Sequence, residues 1–182
     1  KDQCEKIIGV MVDEAADKAA ILSSSPRYAY FKERLKKIIL RSIWLIAIHI
    51  KKGGFDPKGH EIVFGGKGEY PPIRIELPSG ERLNLIGRID RVDTMEDEDT
   101  VYVRIVDYKS GSKDFSLSDV YNGLELQLLI YLDAILERSW QRNGKRVIPG
   151  GILYFKVDDP IIKAGGEMSQ EEVEREIMKE LR

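Results

Sequence analysis

The spacing of apolar residues changes at the glycine pair Gly53-Gly54, and this change divides the chain into a helical part and a strand-rich part. Before the glycines, apolar residues recur every three or four positions in two runs, about 5–22 and 26–52. This period predicts two helices, the second of which begins with Pro26 after an N-cap at Ser25. After the glycines, short runs bounded by Gly, Pro and acidic turns predict β-strands.

The strand-rich part contains four such runs before its helix, and a meander is the simplest arrangement for them: His60–Gly65, Ile73–Leu77, Arg82–Asp93 and Val101–Tyr108. A capping pattern at Ser116 predicts a helix that continues to about Arg138, and Ile148–Val157 then predicts another strand. A second capping pattern at Ser169 predicts a final helix. This order predicts an α/β fold in which a mixed sheet is flanked by helices, in the sequence αβββαβ.

A length of 182 residues with 42% hydrophobic content is enough for one well-buried core and too short for two typical domains. We therefore predict a single domain over 1–182, with a helical lead-in at 1–53, a core at 60–157 and a C-terminal helix at 169–182. The chain starts with Lys1 in a helix-like run, which indicates a fragment of a larger protein.

The composition restricts the class of protein. The 29 basic and 31 acidic residues give a net charge of −2, without the basic excess that phosphate binding usually leaves. Short basic clusters fit solvated helix faces and turns better than a binding surface, namely Arg34/Lys36/Lys37, Lys51/Lys52 and Lys145/Arg146. No apolar run approaches the roughly 20 residues that cross a bilayer, and the single cysteine, Cys4, cannot form an internal disulfide. We expect a soluble, cytoplasmic domain with no membrane partner.

Acidic residues lie at the ends of two consecutive predicted strands, at Asp90 and at Asp107. Residues i and i+2 share one face of a strand, so Asp107 and Lys109 point the same way while Tyr108 points oppositely. If the acidic turn between the strands is centred near residues 98 and 99, antiparallel pairing sets Asp90 across from Asp107. Their Cβ atoms are then about 5 Å apart.

Two carboxylates at that separation repel each other unless a cation lies between them. All-oxygen ligands favour hard cations, so the pair predicts a Mg²⁺ or Mn²⁺ site, to which the carbonyl of Tyr108 can add a ligand. Lys109 is placed to orient or help deprotonate an attacking water and to stabilise charge on a phosphate. This pattern favours phosphodiester hydrolysis. The alternative is a surface ion pair between Asp107 and Lys109, with Asp90 as an ordinary turn residue.

A second candidate pair lies on the helix after these strands. Gln127 and Tyr131 are four residues apart and therefore share one helix face. They are suited to hydrogen-bonding a phosphate or bracing the metal site. The alternative is structural, with Tyr131 as a core aromatic and Gln127 as a cap or core amide.

Together these motifs resemble the RecB-like branch of the PD-(D/E)xK nuclease superfamily, through Gly87-Arg-Ile-Asp90, Asp107-Tyr-Lys109-Ser-Gly111 and Gln127-x-x-x-Tyr131. The run Gly151–Ile161 and the long helix before the strands resemble the nuclease domain of the AddB subunits of AddAB helicase-nucleases. The resemblance implies a restriction-endonuclease-like core, Mg²⁺-dependent exonucleolytic hydrolysis of DNA in double-strand break repair, and an AddA-like partner. It assigns Asp90 and Asp107 to metal binding, Lys109 to catalysis, and Gln127 with Tyr131 to an accessory motif.

The sequence departs from that family in two respects. RecB-like sites usually include a histidine on a helix well before the first aspartate, but His49 falls on an apolar stripe, where a packing role is expected, and His60 starts a strand. We expect the metal-ligating histidine upstream of Lys1. AddB proteins also hold a 4Fe–4S cluster through four cysteines, which Cys4 alone cannot supply, so the cluster residues are expected outside this chain. The isolated fragment is then expected to bind metal poorly. Glu61 is expected on the strand-edge surface.

Other hypotheses remain open. A Cas4-type nuclease or a stand-alone phage exonuclease shares the core motifs, and framing cysteines with an upstream helicase-like region would favour the AddB type. A non-catalytic scaffold or DNA-binding module of the same fold would bind no metal. A two-carboxylate glycosidase is disfavoured because a lysine lies close to the acids and no tryptophan is near them in the sequence.

Overall fold

The computed structural model describes residues 2–18, 26–66, 68, 70–111, 116–139, 144–163 and 166–181. Internal contacts divide the chain into two units, one made of Lys1–Lys52 with Val157–Arg182 and the other of Gly53–Lys156. The single domain over 1–182 stays a prediction. Among the described residues, none of the helices combines the length and the apolar character that a membrane span requires.

The first unit is helical. Its helices are α1 (Asp2–Lys18), α2 (Pro26–Lys52) and the C-terminal helix Gln170–Glu180, and the first two contact each other. The predicted second helix is confirmed, and the predicted end of the first helix, residues 19–22, lies outside the described residues. The C-terminal helix begins at the predicted capping box, in which Ser169 and Glu172 each accept a hydrogen bond from the other's backbone N–H.

The second unit contains a four-stranded mixed sheet. Its strands are β1 (Asp56–Phe64), β4 (Gly87–Glu96), β5 (Thr100–Lys109) and β6 (Arg146–Lys156), adjacent in that order. The β1–β4 and β4–β5 pairs are antiparallel, whereas β5 and β6 run parallel. A parallel pair needs a crossover connection, which here contains α3 (Leu117–Tyr121) and α4 (Gln127–Ser139). The predicted mixed sheet and the αβββαβ order are confirmed.

The simple meander is wrong. The predicted strand Arg82–Asp93 is interrupted at Ile86, and its first part, β3 (Arg82–Leu85), pairs with β2 (Ile73–Glu76) in a separate two-stranded sheet. The hairpin turns at residues 77–81, where Gly80 has a φ of 84°. After this insertion the chain returns to the main sheet as β4, so the meander survives only as β1, β4 and β5.

The continuous helix predicted from Ser116 to about Arg138 is also wrong. Ser116 caps α3 as predicted, because its hydroxyl accepts a hydrogen bond from the N–H of Asp119. The helix then ends at Asn122, and Gly123 adopts a φ of 76° that a side chain would disfavour. The chain therefore turns before α4 begins at Gln127.

The core of this unit lies between the main sheet and α4. Buried residues from β4 and β5 pack there against Leu128, Tyr131 and Ile135, which recur every three or four positions along α4. The sheet contributes Ile89, Val92, Val103 and Ile105 to this cluster. The core therefore holds the N-terminal end of α4 close to the C-terminal end of β5.

A second buried cluster is ionic. Asp93 is 0% exposed, and its carboxylate accepts hydrogen bonds from Arg91 Nε and Nη2 at 2.8 and 2.9 Å and from Arg104 Nη2 at 2.7 Å. Arg91 Nη1 also donates to the hydroxyl of Tyr108 over 2.8 Å. Two guanidinium groups on one carboxylate satisfy its oxygens, which is the condition for burying a charge without a large loss of stability.

Candidate active site

The turn between β4 and β5 determines which carboxylates face each other. Asp97 and Thr100 close the turn through a backbone hydrogen bond of 2.8 Å, which centres it on residues 98 and 99. Arg91 pairs with Val106 at the other end of the register, and one further step sets Asp90 opposite Asp107. The predicted alignment of the two strands is therefore present in the structure.

Asp107 and Lys109 share a face of β5 and form an ion pair. The Lys109 Nζ atom lies 2.7 Å from Asp107 Oδ2, and Asp107 is only 3% exposed. Hydrogen bonding to Asp107 raises the pKa of the Lys109 ammonium, and the charge of Asp90 adds to this effect. The lysine is consequently held in its protonated form beside two carboxylates. Burial of Asp107 argues against the alternative of a surface ion pair.

Asp90 lies where β4 departs from regular alternation. Ile89 and Val92 both belong to the core cluster although they are three residues apart, a spacing that would put them on opposite faces of a regular strand. On β1, the residue opposite Asp90 is Glu61, which has a φ of 52°. Asp90 Oδ2 accepts a hydrogen bond from the N–H of Tyr108 over 2.9 Å. The side chain of Asp90 is thereby fixed against β5.

Tyr108 occupies the position between the two charged residues of β5. Its ring packs edge-on against Phe155 and lies near the guanidinium of Arg91, on the side of the ionic cluster. The predicted opposite orientation of its side chain agrees with these contacts. Coordination of a metal by its carbonyl stays a prediction.

The accessory pair on α4 is connected to the lysine. Gln127 Nε2 donates to the Tyr131 hydroxyl over 2.8 Å, and Lys109 Nζ donates to Gln127 Oε1 over 3.3 Å. Tyr131 is buried and packs edge-on against Phe64, so it is also the core aromatic that the alternative describes. A Cβ at Gly87 would lie 2.6 Å from Phe64, which explains a glycine at this position.

Glu125 is a candidate residue that sequence reasoning did not identify. It is buried, and with Lys109, Gln127, Leu124 and Tyr154 it lines a pocket of about 200 Å³. The sequence signal is slight, since Glu125 merely precedes Gln127 by two positions in a run whose pattern predicts continuous helix. The pocket therefore contains a lysine and a buried carboxylate side by side.

The donor set suits a hard divalent cation only in part. Asp90 and Asp107 supply carboxylate oxygens, which Mg²⁺ prefers. Within the described ranges, however, no group of three or more histidine, cysteine or acidic side chains is gathered closely enough to hold a metal. The two aspartates fit as a partial ligand set, of the kind that is completed by waters and substrate oxygens.

The two histidines and the cysteine are not buried. His49 is exposed on α2, so the predicted packing role in the core is wrong, and His60 is exposed on β1. The exposed thiol of Cys4, the chain's only cysteine, cannot supply the four thiolates of an iron–sulfur cluster. Glu61 is exposed as predicted and forms an ion pair with Arg88 over 2.7 Å.

Several residues of the predicted basic clusters are engaged by acids. Lys36 contacts Glu33 and Asp13, while Lys145 contacts Glu96. Arg34 likewise pairs with Asp159. These contacts agree with solvated, charge-balanced surfaces.

The fold and the motif positions define a class of protein. Residues 1–182 match the family described as the PD-(D/E)XK nuclease superfamily, and the chain belongs to it.

Three relatives indicate a narrower similarity. The chain is 54% identical over 181 residues to an ATP-dependent helicase/deoxyribonuclease subunit, the one designated B, of Clostridium novyi (strain NT), covering 98% of this chain and 16% of that protein. It is 55% identical over 178 residues to the protein of the same name from Alkaliphilus oremlandii (strain OhILAs), covering 98% and 15%. It is 50% identical over 184 residues to that of Acetivibrio thermocellus, covering 100% and 16%. The chain thus spans about one sixth of the length of the curated relatives it matches.

Proposed function

We propose that this chain is the catalytic domain of a Mg²⁺-dependent deoxyribonuclease, which hydrolyses DNA phosphodiester bonds as an exonuclease during recombinational repair of double-strand breaks. The observation that supports the proposal most is the arrangement of Asp90 opposite Asp107, with Lys109 ion-paired to the buried Asp107. Membership of the nuclease superfamily and the names of the relatives agree with it.

In this proposal Asp90 and Asp107 hold Mg²⁺ or Mn²⁺, with the Tyr108 carbonyl as a further ligand. A divalent ion bound there would lower the pKa of a coordinated water and neutralise charge on the scissile phosphate. The hydrogen bond from Tyr108 N–H fixes one oxygen of Asp90, so that this carboxylate needs little reorganisation on binding. Burial of Asp107 keeps competing water away from its oxygens.

Lys109 acts in the proposal as a positive charge. The sequence left open whether it helps to deprotonate the attacking water or stabilises charge on the phosphate. The Asp107 carboxylate raises the pKa of Lys109, which disfavours loss of its proton. A protonated ammonium beside the scissile phosphate stabilises the charge that develops there. We therefore assign it charge stabilisation and orientation of the water.

Gln127 and Tyr131 are assigned a positioning role. The amide of Gln127 contacts Lys109 Nζ on one side and the Tyr131 hydroxyl on the other. Tyr131 is buried in the core, so the position of the amide is tied to the packed part of the unit. Such support reduces the freedom of a catalytic group and improves its alignment.

The relatives' name leads to a proposed context. The matched proteins are named as one subunit of a helicase/deoxyribonuclease, so we propose an AddA-like helicase-nuclease subunit as the partner and a DNA strand as the substrate. A cytoplasmic location goes with this role. A 4Fe–4S cluster in the full-length protein would need cysteines other than the single one in this chain.

The alternatives differ in what they predict for metal binding and for activity. A Cas4-type nuclease would share the roles of Asp90, Asp107 and Lys109 but would not assemble with a helicase subunit. An inactive scaffold of the same fold would bind DNA without a requirement for either aspartate.

The test compares full-length protein variants in a DNA cleavage assay with Mg²⁺. Asp107→Asn is expected to abolish cleavage while DNA binding persists, and Asp90→Asn is expected to weaken Mn²⁺ binding in calorimetric titration. Asp99→Asn is the matched control, because Asp99 is an exposed aspartate in the turn between the same strands. Unchanged cleavage by Asp107→Asn would overturn the proposal.

A further inference from the structure

An exposed row of large apolar side chains lies on the segment that leads into α4. Leu117 is 75% exposed, Tyr121 is 91% exposed and Leu124 is 73% exposed. Leu117 and Tyr121 are four residues apart on α3 and therefore share a face. Leu124 follows in the turn, where its N–H is bonded to the carbonyl of Asp119 over 2.8 Å. We call these three side chains the apolar row.

The apolar row is continuous with the candidate active site. Leu124 lines the same pocket as Lys109 and Gln127, together with the ring of Tyr154. Adjacent nucleotides in an extended strand are separated by only several ångströms. A strand whose scissile phosphate lies at Lys109 thus brings its neighbouring bases to Leu124 and Tyr121.

The charge of this segment determines which part of a nucleic acid it fits. Residues 116–126 contain two acids, Asp119 and Glu125, and no lysine or arginine. Phosphates are bound mainly by basic side chains, so the row does not suit the outside of a duplex. Unpaired bases present uncharged faces that stack on aromatic and apolar side chains.

We propose that Leu117, Tyr121 and Leu124 form a stacking platform for unpaired DNA bases beside the cleavage site, with Tyr121 as its main contact. The proposal rests on the proposed nuclease function and adds a preference for single-stranded substrate. Stacking on one aromatic side chain corresponds to roughly a 5- to 150-fold change in binding. The platform is therefore expected to lower the KM for single strands.

The first test measures cleavage of a single-stranded oligodeoxythymidylate and of a blunt duplex by the full-length protein. Tyr121→Ala is expected to raise the KM for the single strand by roughly 5- to 150-fold with little change in kcat, whereas Tyr121→Phe retains a low KM. Tyr30→Ala is the matched control, since Tyr30 is an exposed tyrosine in the other unit. An unchanged KM in Tyr121→Ala would overturn the platform.

The second test does not depend on cleavage. The oligodeoxythymidylate carries 5-iododeoxyuridine, is bound in EDTA and is irradiated, and the crosslinked peptides are identified by mass spectrometry. Crosslinks are expected within residues 116–126 and are expected to disappear in Tyr121→Ala. Crosslinks confined to other segments would overturn the platform, as would loss of subunit assembly in Tyr121→Ala with an unaltered KM, since a protein would then cover the row. Failure of Asp107→Asn to affect cleavage would instead overturn the nuclease function.

Discussion

Gln127 Nε2 donates a hydrogen bond of 2.8 Å to the hydroxyl of Tyr131, a residue whose ring is packed in the core. The other end of the same amide accepts a hydrogen bond from Lys109 over 3.3 Å. A buried ring thus fixes an amide, and the amide in turn restrains the lysine of the candidate site. Packing and catalysis are coupled through a single side chain.

This coupling predicts a specific defect in Tyr131→Phe. The variant keeps the ring in contact with Phe64 but removes the acceptor for Gln127, so the amide loses its fixed position. One lost hydrogen bond of about 0.5–1.5 kcal/mol corresponds to a fall in kcat of up to about tenfold. Steady-state cleavage and a thermal melt measure the two effects. A large loss of stability with normal kcat would contradict the positioning role.

Gly87→Ala is expected to disturb the same support from below. Its methyl group would lie 2.6 Å from Phe64 Cζ and 3.4 Å from Tyr131 Cε1, so the two rings must shift. Overpacking of this kind costs about 1–3 kcal/mol. Urea unfolding checks the cost, with Gly166→Ala as the control, because a Cβ at Gly166 meets no atom within 4 Å. Equal stability of both variants would show that the rings move freely.

Asp93→Ala is expected to cause a large loss of stability. It leaves the buried guanidinium of Arg91 without its carboxylate, and breaking a buried pair in this way costs about 3–5 kcal/mol. Glu76→Ala is the matched control, because the Arg82–Glu76 pair is exposed and is expected to contribute less than about 1 kcal/mol. Denaturant melts of both variants measure the difference. A loss below about 1 kcal/mol in Asp93→Ala would contradict this account.

The first unit is expected to lose a stabilising contact in acid. Hydrogen bonding to Arg41 lowers the pKa of Glu174 below its ordinary value of 4.5. A lowered carboxyl pKa contributes stability above about pH 4.5, and that stability is lost as the pH falls through the folded-state pKa. Wild type and Glu174→Gln should therefore differ in stability at neutral pH and converge in acid. A difference that does not depend on pH would refute the link to this pair.

The sequence was sufficient for the central geometry because that geometry depends on local rules. A tight turn at residues 98 and 99 fixes the antiparallel register, and strand alternation then brings Asp107 and Lys109 to one face. Helical spacing likewise brings Gln127 to Tyr131. Each of these relationships needs only neighbouring residues or one hairpin.

The errors arose where the outcome depends on distant contacts. Leu83, Leu85 and Ile89 all fit a single strand alternation, so the sequence did not indicate that the chain leaves one sheet and enters another at Ile86. The helix break at Gly123 was missed because Leu124 and Leu128 continue a helical period. Burial of Glu125 results from that break, and no local pattern predicts it.

The irregular stretch of β4 has a consequence for how such a protein can vary. Between Ile89 and Val92 the strand exchanges one face for the other, and Asp90 lies at the exchange. Inserting or deleting one residue there would turn the carboxylate away from β5 while leaving every acid in the sequence. The number of residues in this stretch is therefore as strict a requirement for the site as the identity of Asp90 itself.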